Sequence, residues 1–175
     1  MGMAGLVKVY GQDVPAMRFI GKKYGEKDAE GGGYGHIWGE WFGKGLFEPL
    51  EKLYEVQRLG SDDDDAYVGL MRHKPGEPFE YWIGMFFAAD AQAPEGYEAV
   101  DFPESRLGVA WLKGQEAEIY SAEEVAIDGL AEAGYQPVAD ENGAFWFAER
   151  YACPRFTSPD EQGNVILDIC MFAGK

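Results

Sequence analysis

Basic residues, histidine and cysteine are all scarce in this sequence, and each scarcity closes off a class of function. Fifteen Lys and Arg stand against 31 Asp and Glu, for a formal net charge of −16 over 175 residues. Such a chain repels phosphate backbones and has no basic stripe along which a nucleic acid would bind. It concentrates and steers cations instead. The two histidines, His36 and His73, are too isolated for a metal site. Cys153 and Cys170 form no Cys-x-x-Cys pair. No apolar run reaches the roughly 18 residues that a membrane span needs, and residues 1–10 lack the apolar stretch of a signal peptide. The expectation is a cytoplasmic protein with two free thiols, without metal, cofactor, membrane or direct nucleic-acid binding. Monomer and dimer both stay open.

Motif absences narrow the field further. There is no Gly-x-Ser-x-Gly elbow. The glycines at 31–33 lack the Lys-Ser/Thr of a phosphate loop and the spacing of a dinucleotide fingerprint. The run Asp62–Asp65 lacks the alternation of a calcium loop and reads as a solvated turn.

What the chain does have is apolar and aromatic residues, at 46% and 15%. That is enough for one packed domain spanning 1–175, and the five tryptophans suit either core filling or a flat-walled pocket. Strand and helix signals alternate in an α+β pattern. Strands are expected at 5–10 and 17–23, then a glycine-rich loop. A helical pattern follows, with Ile37, Trp38, Trp41, Phe42, Leu46 and Leu50 on one face and Pro49 ending or kinking it. A hairpin at 66–74 and 79–89 closes the first half around Pro75-Gly76. The second half repeats the plan: strands at 97–102 and 106–113, a helix from a Ser121/Glu124 capping box to Gly134, and strands at 144–151 and 164–172. The repeat, about 5–90 and 95–173, reads strand, strand, helix, hairpin in each half and implies two equivalent units about a pseudo-twofold axis, with a ligand crevice between the halves. Periodicity leaves the pairing of the strands into sheets open.

One polar residue stands out. Strand alternation puts Phe145, Phe147, Glu149 and Tyr151 on one face, a carboxylate among three aromatics. Either it is tied to Arg150 or Arg155 or exposed at the strand end, or it anchors a cation by charge and cation–π contact, worth about 0.5–2 kcal/mol per ring. Candidate walls are Phe147, Trp111, Trp82 and Trp38, with Tyr67 and Tyr151 offering hydroxyls. Tyr81 and Trp82 point to opposite faces of their strand, so only one of them lines a given pocket.

Three stretches carry a resemblance: Pro94 to Gly114 through Phe102-Pro103-Glu104-Ser105, Phe147-Ala148-Glu149-Arg150-Tyr151 with the closing strand Ile166-Leu167-Asp168-Ile169, and the opening Val14 to Gly21. Together they resemble the GyrI-like small-molecule-binding domains, found also as effector-binding domains of AraC-type transcription regulators. The resemblance implies an α+β fold of two duplicated β-α-β-β units, with an antiparallel sheet and two main helices, a multidrug-type pocket for aromatic or cationic compounds, and Glu149 as its acidic residue. No helix-turn-helix is read in the sequence, and 115–144 departs from the family pattern. The leading expectation is a binding module for cationic or aromatic small molecules, acting in sequestration or sensing. The rivals are a hydrolase of strained electrophilic toxins, with Glu149 as general base and Tyr151 as hydrogen-bond donor, and a protein-binding modulator of a topoisomerase.

Overall fold

A computed structural model of the chain describes residues 4–173; Met1 to Met3 and Gly174 to Lys175, the ends of the expected 1–175 range, lie outside the described residues. The elements run β1 (Gly5–Val14), β2 (Met17–Gly25), α1 (Gly35–Gly43), α2 (Glu48–Gln57), β3 (Tyr67–His73) and β4 (Glu80–Ala88). The second half follows as β5 (Glu98–Phe102), β6 (Ser105–Gln115), α3 (Glu116–Ile119), α4 (Glu123–Glu132), β7 (Phe145–Tyr151) and β8 (Asn164–Phe172).

The eight strands of the described residues form one antiparallel sheet in the order β1-β6-β8-β7-β3-β4-β2-β5. Exchanging each strand with its counterpart in the other half reads the same order backwards, so the pseudo-twofold axis runs between β3 and β7. The halves are interlaced: β1 pairs with β6, and β5 with β2. Chemistry repeats with topology. Asp13-Val14-Pro15 and Arg18 recur 88 positions on as Asp101-Phe102-Pro103 and Arg106. The two arginines make equivalent crossed ion pairs, Arg18 to Asp101 at 2.7 Å and Arg106 to Asp13 at 3.3 Å. Such surface pairs add little stability, but they mark the register.

The sheet is strongly curled. Strands five places apart in a flat sheet would be separated by about 24 Å, yet Phe102 of β5 stacks on Phe172 of β8 with ring centroids 4.5 Å apart. The inner face holds one core, with Met17, Phe19, Leu70, Trp82, Trp146 and Phe172. The helices cover the outer face in two separate groups. α1 and α2 pack on β2 and β4 through Ile37, Trp41, Leu50 and Ile83, and the second helical segment packs on β6 and β8 through Ile119, Leu130, Leu112 and Leu167. The middle of that face, over β3 and β7, is left between them.

Three local expectations are corrected. Pro49 does not end a helix: it sits in the first turn of α2, where its missing N–H costs nothing. The break falls earlier, at Gly45, whose φ of +66° glycine adopts freely. Ser121 does not cap a helix either, because its hydroxyl donates to the Glu118 carbonyl at 2.8 Å inside a helical segment that has already begun. Nor is the 62–65 turn merely solvated. Asp63 takes two hydrogen bonds from Arg155, at 3.1 and 2.9 Å, and Asp64 accepts from the Tyr54 hydroxyl at 2.7 Å.

Candidate functional site

Between the two helical groups lies a crevice of about 1170 Å³. That is slightly above the range of roughly 300–1,000 Å³ that small-molecule sites usually occupy. Its floor is the central β3·β7 ladder, in which Tyr67 faces Tyr151 and Gly69 faces Glu149. Alternation puts the odd-numbered residues of both strands on this face; Val68, Leu70, Trp146, Ala148 and Arg150 point into the inner core.

Glu149 sits at the bottom, open to the crevice and crowded on its other sides. Its Oε1 accepts from the Tyr81 hydroxyl at 2.8 Å and, more weakly, from that of Tyr151 at 3.4 Å. Helix α1 fixes this arrangement. The Trp38 indole N–H, which can only donate, gives its proton to the Tyr81 oxygen at 2.9 Å, so the Tyr81 proton is left for Glu149. Tyr34 stacks flat on the Tyr81 ring at 4.2 Å, and Trp38 meets Tyr151 edge-on at 4.9 Å. Gly69 supplies the space: a Cβ there would collide with the Tyr81 hydroxyl and lie 2.9 Å from Glu149 Oε1.

Burial is the main cause that pushes the Glu149 carboxyl up to about 7. The negative charge of Glu123 adds to it, while the hydroxyls of Tyr81 and Tyr151 oppose it. Burial and the same carboxylate hold both tyrosines well above their ordinary range, so they remain donors. The salt-bridge alternative for Glu149 is overturned. Arg150 points to the other side of the sheet and bonds Asp168 at 2.8 Å, and Arg155 is shared between Asp168 and Asp63. Among the described residues, six carboxylates and ten aromatic side chains line the crevice, and no Lys, Arg or His does.

Of the residues expected at the site, Glu149, Tyr151, Tyr67 and Trp38 come together here. Phe147 shares their sheet face but packs toward the α4 core. Trp82 and Trp111 are elsewhere. Trp82 lies on the inner face, edge-on to Phe19 at 6.1 Å, because it alternates with Tyr81 and the helices cover the Tyr81 side. Trp111 also packs against the inner-face core, edge-on to Tyr10 at 5.9 Å and 4.5 Å below the Arg155 guanidinium. Sequence reasoning missed Tyr34, Tyr81 and Tyr120 as walls and Glu51 and Glu123 as neighbouring charges. For Tyr81 the signal was present, since parity required one of Tyr81 and Trp82.

No family model matches the chain, and no curated protein matches it. Solved structures do. A Staphylococcus aureus MU50 protein assigned to bacterial transcription regulation superposes with a TM-score of 0.62 at 15% identity, covering 97% of this chain and 99% of that one. SAV2435 bound to tetraphenylphosphonium gives 0.60 at 16%, covering 95% and 93%. An integron cassette protein from the Vibrio cholerae mobile metagenome gives 0.51 at 9%, covering 97% of each chain. At these identities the likeness establishes a shared α+β fold over nearly the whole length.

Proposed function

We propose that this chain is a GyrI-like domain that binds cationic aromatic small molecules in the crevice, for sequestration or for sensing, with Glu149 as the anionic anchor. One observation carries the reading: an aromatic crevice whose floor carboxylate has hydroxyl partners but no basic partner among the described residues. A cation supplies the missing counter-charge, and the rings of Trp38, Tyr67 and Tyr151 supply faces and edges for an aromatic body. The chemistry of tetraphenylphosphonium, held by the structural neighbour SAV2435, is of the kind this crevice suits. The two cysteines, which form no disulfide, fit a reducing cytoplasm.

The test is calorimetric titration of tetraphenylphosphonium at pH 8 into wild type and Glu149→Gln. The variant is expected to bind at least tenfold more weakly, about 1.4 kcal/mol. Equal affinity for both proteins contradicts the anchor role.

A hydrolase reading draws on a different aspect of the same carboxyl. A group held near pH 7 suits general-base work. Steady product formation from a strained electrophile, abolished in Glu149→Gln, would support it; stoichiometric uptake without product would refute it.

A further inference from the structure

The crevice has a second anionic end that one bound cation at Glu149 leaves unmatched. Glu51 of α2 holds its Oε2 2.9 Å from the Tyr67 hydroxyl, which donates to it. Tyr67 is itself fixed, stacked flat on Phe47 at 3.7 Å. Glu55 follows one helical turn on, and Asp65 lies just before β3; both line the same crevice. A like-charge pair at i, i+4 weakens a helix, and among the described residues no basic side chain pairs with Glu51, Glu55 or Asp65.

The two ends share one floor. Glu149 sits against Gly69, and Glu51 is held by Tyr67, two residues away on β3. Alternate residues of a strand are about 7 Å apart. Tyr67 stands at the Glu51 end of this span, and Tyr151, paired with it across the ladder, reaches Glu149 with its hydroxyl, so aromatic surface runs between the two ends. The volume, about 1170 Å³, leaves room for a body that reaches both ends.

We propose that the crevice is built for dications: elongated aromatic molecules with two cationic centres, one set on Glu149 and the other on Glu51 with Glu55 and Asp65 around it. This rests on the cation-binding reading above and extends it to ligand class. Joining two modest charge contacts through one body makes the second contact intramolecular, so a matched spacer raises affinity without new protein groups.

A bis(quinolinium) alkane series of graded spacer length, titrated calorimetrically at pH 8 and low salt, tests this. The comparison compound is the mono-quinolinium carrying the same alkyl chain. The best bis compound is expected to bind at least tenfold tighter than its mono partner. Glu51→Gln, whose side chain still accepts the Tyr67 proton, is expected to cut that ratio below threefold with an unchanged unfolding midpoint. Glu98→Gln, on the exposed edge strand β5, is expected to leave the ratio intact. A wild-type ratio below threefold with the mono compound still binding overturns the second subsite alone, as does a ratio that survives Glu51→Gln. Failure of both compounds to bind overturns this proposal together with the functional reading beneath it.

Discussion

A carboxyl on a sheet floor with no basic side chain beside it among the described residues costs the fold stability whenever it is ionised. Glu149 is pushed up to about 7 from an ordinary value of 4.5, chiefly by burial. Between those pH values the folded chain binds more protons than the unfolded chain, so stability falls as pH rises through the window and is level above it. The full shift corresponds to about 3 kcal/mol. Thermal melts of Glu149→Gln against wild type are expected to show stabilisation at pH 8 that fades toward pH 4.5; a pH-independent difference would mean that the carboxyl is not desolvated. Gly69→Ala is expected to drive the Tyr81 hydroxyl off Glu149. Removing that donor raises the carboxyl further, so the pH midpoint of tetraphenylphosphonium binding moves up; an unmoved midpoint would show that Tyr81 does not set it. Glu149 was legible in the sequence because alternation isolates one carboxylate among aromatics. Trp82 was misplaced for a physical reason: alternation fixes which residues share a face, whereas the crevice face is decided by where the helices pack.

Among the elements, β7, β8 and the 61–65 turn are tied together across the inner face by buried ion pairs, beside the apolar core that β7 and β8 also share. Asp168, fully buried, accepts from Arg150 at 2.8 Å and from Arg155, which also bridges to Asp63. Breaking a buried pair leaves a charge uncompensated and typically costs about 3–5 kcal/mol. Asp168→Asn is expected to fall in that range by urea denaturation, whereas Asp101→Asn, which removes the exposed Arg18 pair, is expected to cost under about 1 kcal/mol. Equal costs would refute the burial argument. In the sequence the aspartates at 62–65 offered only a run of like charge, because Arg155, the partner of Asp63, lies 92 residues away. The strands themselves were legible from their alternation. Helix limits were less so: Gly45 and Pro49 both interrupt the pattern, and only φ at Gly45 separates a break from a start.

At the scale of the molecule, the order strand, strand, helix, hairpin could be read twice, and the sheet shows what periodicity left undecided. Each half lends its first strand to the other, so β1 lies against β6 and β5 against β2. The repeated Asp-x-Pro-x-x-Arg, 88 positions apart, was the available signal. It marks the swap only once both ion pairs are seen to cross. Halves 1–92 and 93–175 are therefore expected to be poorly folded when expressed alone and to assemble one-to-one when co-expressed, as read by size-exclusion chromatography and circular dichroism. Two independently folded halves would contradict the interlaced sheet. The crevice exists only in the assembled whole, since Tyr81 comes from one half and Glu149 from the other.

Proton release on ligand binding tests the central claim most directly. If a cation pairs with ionised Glu149, binding must expel the proton held by a carboxyl near 7. Titration of tetraphenylphosphonium at pH 6.5 in buffers of different ionisation enthalpy should then report about 0.8 proton released per ligand, and almost none at pH 8.5. Wild type with zero release at both pH values, or Glu149→Gln with the same release as wild type, would contradict Glu149 as the anionic anchor.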